Sequence, residues 1–224
     1  MPDAAADRPL GIFGGTFDPV HCGHLRLAEE AIDRLGLAGI RWIPAGQPAL
    51  RAAPRVSPGQ RLAMVRLATA GNPRFTVDAG EVEAAQASYT VPTLERLRQP
   101  AACGPRRPLV LLVGADAFAG LTNWHRWPLL FELAHLAIAH RPGFPIAVDR
   151  LPPALATCYR ARFCDDPRLL AGSPSGHIVG LAMTPLAISA TAIRALLASG
   201  GSARYLLPDA VLAHILTHHL YQEN

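Results

Sequence analysis

The sequence contains no lysine, so all 21 of its basic side chains are arginines. This absence excludes a phosphate loop of the GK[ST] type, a Schiff-base lysine and the lysine loop of class I tRNA synthetases. Any phosphate site in this chain must use arginine, histidine and main-chain N–H groups. The formal charge is +4, the arginines are dispersed, and aromatic residues make up only 6% of the chain. This pattern favours small anionic ligands over nucleic acid as partners.

Cysteines and long apolar runs are also scarce. The four cysteines have no CxxC spacing, which predicts reduced thiols and no structural zinc site. No uncharged apolar run approaches the roughly 18 residues of a membrane span, and the first ten residues lack the pattern of a secretory signal. We therefore expect a cytoplasmic protein with no membrane association.

The 224 residues are 50% hydrophobic and 17% charged, which is typical of one sizeable core. We predict a single domain over 1–224, with 1–8 disordered and the Pro- and Gly-rich segment 144–175 irregular or inserted.

Short apolar segments alternate with amphipathic ones along the chain. The expected strands are Leu10–Phe13, Ile40–Pro44, Phe75–Val77, Pro108–Val113, Leu136–His140 and His177–Leu181. The expected helices are His24–Leu35, Pro58–Thr69, Thr93–Gln99, Trp127–Ala134, Ser189–Ser199 and a last one from Pro208. This order predicts an α/β fold of the Rossmann-like, doubly wound type, with a mostly parallel sheet and helices on both faces. Ligands in such folds bind at the carboxyl ends of the strands.

The stretch GGTFDPVHCGH lies between the first strand and the first helix. Gly14 and Gly15 allow positive φ angles and close approach of a ligand, and Gly23 removes a Cβ where the helix begins. The amino end of a helix has unsatisfied N–H groups and a partial positive charge, so it attracts anions. His21 and His24 would add ring N–H donors beside it. Two histidines are too few to hold zinc, so we predict no metal site here.

A second stretch, ISATAIR, resembles the start of another capped helix. Ser189 is expected to be its N-cap, which leaves the N–H groups of the first turn directed outward. The side chain of Arg194 is expected to lean back toward the helix start, where it can contact an anion. The two stretches together predict two helix amino ends that hold one triphosphate. Gly114 and Asp116 follow the strand PLVLLV, where a carboxylate can accept hydrogen bonds from ribose hydroxyls.

GGTFDPVHCGHL resembles the HxGH loop of the nucleotidylyltransferase superfamily, and the chain from about Leu10 to Leu220 is similar to bacterial nicotinate mononucleotide adenylyltransferases. Four blocks support this resemblance: the HxGH loop, SYTVPTL, VGADAFAGLTNWHRW and ISATAIR. The segment 144–175 matches weakly. The resemblance implies that ATP and nicotinate mononucleotide are joined to give nicotinate adenine dinucleotide and pyrophosphate, in NAD biosynthesis.

The resemblance also implies roles for individual residues. The expected catalytic residues are His21, His24 and Arg194. The expected ATP-binding residues are Gly14, Gly15, Thr16, Phe17, Asp18, Gly23, Gly114, Asp116, Ile188, Ser189, Thr191 and Arg194. The expected residues for nicotinate mononucleotide are Arg51, Ser88, Tyr89, Thr90, Trp124 and Arg141, with the Trp124 ring stacking on the pyridine and the backbone near Tyr89 receiving its carboxylate. Mg²⁺ is expected to arrive with ATP as co-substrate.

The chain departs from the family pattern at two points. Ala84 and Ala85 stand where relatives commonly carry an arginine before SYT, and Ala49-Leu50-Arg51 stands where they often have His-Lys or His-Arg. Arg51 keeps the charge. His214 and His218, one turn apart on the last helix, are expected to belong to a solvated or packed face and not to a metal site.

Three alternatives stay open on the sequence. The acceptor could be nicotinamide mononucleotide or phosphopantetheine, the chain could be a non-catalytic ATP-binding regulator, or it could be a nucleic-acid-binding module. The sequence does not decide whether the chain forms a homo-oligomer.

Overall fold

A computed structural model describes residues 8–49, 52–84, 86–144 and 146–222. The chain forms two compact units. The first comprises the described residues up to Phe13, Glu29–Ile40 and Tyr89–Pro185, and the second comprises Gly14–Ala28, Arg41–Ser88 and the described residues from Leu186 onward. These two units do not test whether 1–224 is a single domain, which stays a prediction.

Eight strands form two sheets in the described part of the chain. They are β1 (Leu10–Gly15), β2 (Gly39–Pro44), β3 (Gln47–Pro48), β4 (Phe75–Val77), β5 (Ala87–Ser88), β6 (Leu109–Gly114), β7 (His135–His140) and β8 (Ile178–Ala182). The six-stranded sheet has the order β4-β2-β1-β6-β7-β8, and β3 and β5 form a separate parallel pair. The β1–β6, β6–β7 and β7–β8 pairs are parallel.

Nine α-helices lie in the same described ranges. They are α1 (Cys22–Leu35), α2 (Pro58–Thr69), α3 (Gly80–Glu83), α4 (Thr90–Leu97), α5 (Ala115–Ala119), α6 (Leu130–Leu133), α7 (Pro153–Arg162), α8 (Ala190–Ala198) and α9 (Asp209–Thr217). Two of them begin at the serine that the sequence predicts: Ser57 accepts a hydrogen bond from the Gln60 amide at the start of α2, and Ser189 accepts one from the Ala192 amide at the start of α8.

The central strands form from apolar runs whose side chains are buried on both faces of the sheet. In β6 the residues from Leu109 to Val113 are all buried, and the same holds for β7 up to Ala139. Continuous apolar strands of this kind belong to parallel sheets covered on both faces. The predicted α/β Rossmann-like fold with a mostly parallel sheet is confirmed.

Some elements escape prediction from the sequence. The pair β3 and β5 is only two residues long in each strand, and α3 and α5 are single turns, so none has a periodic apolar pattern. Helix α7 lies inside 144–175, where a weak apolar pattern and frequent prolines hide it. Of the residues predicted to be disordered, Arg8 is described, and it donates hydrogen bonds to the carbonyls of Gly36 and Leu37. Among the described helices, none is long and apolar enough to cross a membrane.

Candidate functional site

The loop after β1 takes its shape from Phe17. The sequence suggests positive φ angles at Gly14 and Gly15, but the left-handed residue is Phe17, with φ +50°. Phe17 is almost fully buried, and a Cβ on Gly15 would lie 2.9 Å from its ring. Gly15 is therefore required for close packing, and neither glycine uses the positive φ angles that glycine allows. Gly14 has open space where a Cβ would be.

His21 and His24 form a stacked pair at the start of α1. Their rings stack with centroids 3.7 Å apart, and the His21 main-chain N–H donates to Nδ1 of His24 at 3.2 Å. Because Nδ1 of His24 accepts this bond, the proton of its neutral ring resides on Nε2. Phe17 contacts the His24 ring edge-on at 5.1 Å. The sequence identifies both histidines as candidate hydrogen-bond donors, and the fold determines which nitrogen of His24 is the donor.

His21 is a neutral histidine at physiological pH. The residue is 6% exposed, and burial lowers its pKa from 6.5 to about 4. Within the described residues, its Nδ1 is buried without a hydrogen-bond partner. A Cβ on Gly23 would lie 3.1 Å from that same Nδ1, so the glycine makes room for the imidazole. Gly23 thus makes space for His21, and its predicted contact with ATP stays a prediction.

The second motif meets the first within the second unit. A Cβ on Gly23 would lie 3.7 Å from the Cβ of Ile188, the residue before the N-cap of α8. Arg194 leans back along α8, as expected, and donates to the hydroxyl of Thr191 at 3.3 Å. Its other terminal nitrogen donates to the main-chain oxygen of Asp18 at 2.7 Å. The amino ends of α1 and α8 and the Arg194 guanidinium therefore lie together.

The α1 amino end is less bare than the sequence suggests. The Cys22 N–H donates to the Leu206 carbonyl at 3.0 Å, and the His24 N–H donates to the His21 carbonyl at 2.9 Å. Leu206 belongs to the segment between α8 and α9, which carries no motif. The expectation that the amino end of α1 has unsatisfied N–H groups is therefore wrong for these two amides.

Asp18 anchors the loop. Asp18 is 6% exposed, and its carboxylate accepts hydrogen bonds from the Arg55 amide at 2.8 Å and from the Tyr221 hydroxyl at 2.7 Å. Arg194 Nη1 lies 3.9 Å from Oδ2 of the same carboxylate. Asp18 thus binds protein groups from three other parts of the chain, which fits a carboxylate that orients the loop. Its contact with ATP stays a prediction.

Arg61 is a site residue that motif analysis misses. It is fully buried on α2, and its guanidinium donates to the carbonyls of Thr16 at 2.7 Å, Ala45 at 2.5 Å and Gly46 at 2.8 Å. It therefore ties the loop after β1 to the loop after β2. One signal is available in the sequence: Arg61 lies three and four residues before Met64 and Val65, on the buried face of α2.

The predicted residues of the first unit lie after the carboxyl ends of its strands. Gly114 ends β6, and Asp116 is exposed in the first turn of α5. Arg141 is exposed and directly follows β7, which pairs with β6 so that Gly114 lies opposite Ala139. These three residues share one edge of the sheet, because parallel strands end at the same edge.

The remaining residues predicted for the mononucleotide have mixed environments. Trp124 is half-buried, so part of its ring is accessible. Tyr89 packs its ring against His125 at 4.9 Å, just before α4 begins at Thr90. In the second unit, the Ser88 hydroxyl accepts hydrogen bonds from the amides of Gly46 and Gln47, so this side chain holds the loop after β2. Arg51 lies outside the described residues.

The described residues contain no cluster of three or more His, Cys, Asp or Glu side chains that could hold a metal ion. The four cysteines are free thiols. His214 bonds to the Gln60 side chain at 2.6 Å and packs against His218, so this pair belongs to the contact between α2 and α9.

The amino ends of α1 and α8, the stacked histidines and the Arg194 guanidinium lie together in the second unit, and groups of this kind favour phosphate as a ligand. The family model described as cytidylyltransferase-like matches residues 12–196, and the chain belongs to this family. A protein of Dechloromonas aromatica (strain RCB), described as "Probable nicotinate-nucleotide adenylyltransferase", is 62% identical over 96% of this chain and 99% of its own length. A protein of Pseudomonas aeruginosa PAO1 with the same description is 46% identical over 95% and 97%. Within its family, the chain is thus a member of the nicotinate-nucleotide adenylyltransferase group.

Solved structures agree on the fold. A Plasmodium falciparum nicotinic acid mononucleotide adenylyltransferase, complexed with NaAD, superposes with a TM-score of 0.67 at 14% identity, covering 96% of this chain and 97% of its own. A structure described as a putative nicotinate-nucleotide adenylyltransferase from Vibrio parahaemolyticus superposes with a TM-score of 0.62 at 14% identity, covering 97% of both chains. At these identities, the likeness concerns the fold alone.

Proposed function

We propose that this protein transfers the adenylyl group of ATP to nicotinate mononucleotide, releasing pyrophosphate and forming nicotinate adenine dinucleotide for NAD biosynthesis. One observation carries the proposal: Arg194 of the second motif donates to the main chain of Asp18 in the first motif, and a Cβ on Gly23 would lie 3.7 Å from the Cβ of Ile188. Two helix amino ends and a guanidinium at one place suit a triphosphate. The descriptions of the Dechloromonas and Pseudomonas relatives support the same reaction.

The proposed chemistry is a direct, in-line displacement. A phosphate oxygen of the mononucleotide attacks the α-phosphorus of ATP, the new P–O bond forms, and the bond from the α-phosphorus to the bridging oxygen breaks. The electron pair leaves with pyrophosphate. No covalent enzyme intermediate is required, because phosphoryl chemistry depends mainly on positioning and charge stabilisation.

The residues of the second unit would act on the phosphates. His24 would donate from Nε2, since its Nδ1 already accepts from the His21 amide. His21, neutral because burial lowers its pKa to about 4, would donate a single ring N–H. Arg194 and the Gly14-Gly15-Thr16 backbone would hold the triphosphate, with the first turn of α8 beside Ser189 and Thr191. Charge that grows in the transition state would meet donors that are already oriented.

The residues of the first unit would bind sugar and base. Asp116 would accept from ribose hydroxyls, Trp124 would stack on the pyridine ring, and the backbone at Tyr89 and Thr90 would receive the nicotinate carboxylate. Arg141, together with Arg51, would add positive charge for the mononucleotide.

Mg²⁺ would enter as the complex with ATP. Magnesium keeps several waters and binds substrate phosphates in many nucleotide enzymes. The donor set of the site fits this role, because the Asp18 carboxylate is occupied by protein donors and the phosphate-binding groups around it are histidine, arginine and amides. We place the reaction in the cytoplasm, with small molecules as partners.

The reaction can be tested by measuring pyrophosphate release from ATP and Mg²⁺ with nicotinate mononucleotide, nicotinamide mononucleotide or phosphopantetheine as the acceptor. We expect rapid release with the acid mononucleotide and much slower release with the other two. Faster release with another acceptor would reassign the substrate. ATP binding without release for any acceptor would favour a regulator, and strong salt-dependent binding to oligonucleotides would favour a nucleic-acid module.

A further inference from the structure

The last described residues of the chain contact the loop after β1. After α9 ends at Thr217, the backbone turns through left-handed φ angles of +50° at His219 and +64° at Tyr221. The Leu220 amide donates to the Ile215 carbonyl at 3.0 Å, which closes the helix end. Left-handed angles at two residues other than glycine carry a conformational cost, so contacts made by this segment must offset it.

Tyr221 makes the contact that this turn permits. Its hydroxyl donates to Oδ1 of Asp18 at 2.7 Å, across 203 residues of sequence. Burial and the Asp18 carboxylate raise the pKa of Tyr221 above its usual value near 10, so the hydroxyl keeps its proton and remains a donor. Oδ2 of Asp18 accepts from the Arg55 amide. Both carboxylate oxygens therefore have a neutral donor.

Two guanidiniums carry positive charge near this carboxylate: Arg61, which three main-chain carbonyls hold in place, and Arg194. Nη1 of Arg194 donates to the Asp18 main-chain oxygen at 2.7 Å, while its distance to Oδ2 is 3.9 Å, beyond a hydrogen bond. A buried carboxylate that lost one of its donors would attract the guanidinium more strongly, because a charge-assisted bond is stronger than a neutral one. The Tyr221 hydroxyl thus limits how far Arg194 pairs with Asp18.

We infer that Tyr221 is a positioning residue for adenylyl transfer, which acts through Asp18 to keep the Arg194 guanidinium available to the phosphates of ATP. This inference rests on the proposed function. Tyr221 itself touches neither substrate in this scheme. Its role is to satisfy Asp18 so that Arg194 remains bound to the Asp18 main chain and to Thr191, in its leaning position on α8.

The test is a double-mutant cycle in the full-length protein with Tyr221→Phe, Arg194→Ala and the double variant. Phenylalanine keeps the ring and removes only the hydroxyl. We expect Tyr221→Phe to lower kcat about tenfold or more, which matches the loss of a hydrogen bond to a charged group, with the KM for nicotinate mononucleotide unchanged. In the Arg194→Ala background, the same change should have almost no further effect, since residues that act through one another are not additive.

Two further measurements make the cycle decisive. Calorimetry measures the dissociation constant of ATP for each of the four proteins, which gives the same double-mutant cycle without turnover. Thermal unfolding shows whether each variant is folded. The matched control is Tyr159→Phe on α7, which removes a hydroxyl from the first unit and should leave kcat unchanged.

The outcomes separate this inference from the proposed function. Equal losses from Tyr221→Phe with and without Arg194 would overturn the inference, as would a lower unfolding temperature with unchanged kcat and ATP affinity. A wild-type protein that releases no pyrophosphate with any acceptor would instead overturn the proposed function. In that case, the calorimetric cycle decides the inference: non-additive ATP affinities uphold the link from Tyr221 to Arg194, and additive ones reject it.

Discussion

The proton on His24 has a defined position because of a main-chain contact three residues earlier. The His21 N–H donates to Nδ1, so the neutral ring can donate only from Nε2. Phe17 packs against the same ring and restricts its rotation. A donor that is oriented before the substrate binds costs little reorganisation during the reaction, which is the condition for effective stabilisation of transition-state charge.

Replacing His24 by alanine should therefore reduce turnover more than binding. We expect kcat for pyrophosphate release to fall by about 100-fold or more, as for the loss of one preorganised donor, with a modest change in the calorimetric ATP dissociation constant. His218→Ala on the end of α9 is the matched control and should retain wild-type kcat. Full turnover in His24→Ala would exclude the proposed role of this ring.

Arg61 lies outside both sequence motifs, but we expect its replacement to lower the free energy of unfolding strongly. In Arg61→Met, the carbonyls of Thr16, Ala45 and Gly46 lose a buried donor, and an unsatisfied buried polar group costs about 1–3 kcal/mol. We expect the free energy of unfolding, from urea titration, to fall by about 3 kcal/mol or more. Arg66→Met, an exposed position on the same helix, should change it by less than about 0.5 kcal/mol. Similar losses in both variants would contradict the role assigned to Arg61.

Gly23 lies in the first turn of α1, where it makes room for the His21 ring. Most glycines in a helix lower its stability relative to alanine by about 0.5–1 kcal/mol. At position 23, however, an added Cβ would lie 3.1 Å from Nδ1 and 3.2 Å from Cε1 of His21. The local preference for alanine and the space needed by the imidazole therefore conflict at this residue.

This conflict predicts a separation of stability from activity. Gly23→Ala should lower kcat by at least tenfold, because the His21 ring must shift, while its unfolding free energy changes by less than about 1 kcal/mol. Gly59→Ala, in the first turn of α2, meets nothing within 4 Å and should leave kcat unchanged and stability equal or slightly higher. Steady-state kinetics and urea unfolding of both variants check this, and wild-type kcat in Gly23→Ala would count against it.

Across the whole protein, two buried histidines make stability depend on pH. Burial lowers the pKa of His21 and of His135 from 6.5 to about 4. His135 is fully buried as a neutral ring, with one nitrogen bonded to the Ser173 carbonyl at 2.8 Å and the other accepting from the His177 amide at 3.0 Å. Both rings therefore fold in the neutral form.

The sign of the effect follows from proton binding. The unfolded chain protonates these rings below pH 6.5, whereas the folded protein does so only near pH 4, so the free energy of unfolding falls as pH decreases between these values. Each ring contributes up to about 3 kcal/mol to this loss, with a slope near 1.4 kcal/mol per pH unit around pH 5. Above pH 6.5, the contribution is constant.

Urea unfolding between pH 4.5 and 7 measures this slope. We expect His21→Asn to reduce it by roughly one histidine's share, about 1.4 kcal/mol per pH unit. His125→Asn, the same substitution at an exposed position, is the matched control. An unchanged slope in His21→Asn would show that the His21 ring titrates normally in the folded state.

Much of the fold was accessible from the sequence because its signals are local. Apolar runs predict β1, β2, β4, β6, β7 and β8, and the serines before α2 and α8 predict their caps. The elements that were missed are short or lie among prolines, where no periodic pattern develops. The identity of the fold class follows from the alternation of strands and helices, which does not require exact boundaries.

The sequence by itself determined the chemical groups of the candidate site. With no lysine available, the hydrogen-bond donors to phosphate had to be arginine, histidine and main-chain amides. GGTFDPVHCGH and ISATAIR place these donors at two helix starts. Only the tertiary structure decided how these groups are held. The tautomer of His24, the lowered pKa of His21 and the link from Tyr221 to Asp18 depend on burial and on contacts between residues far apart in the chain. Burial and such contacts exist only once the chain has folded, so no local pattern records them.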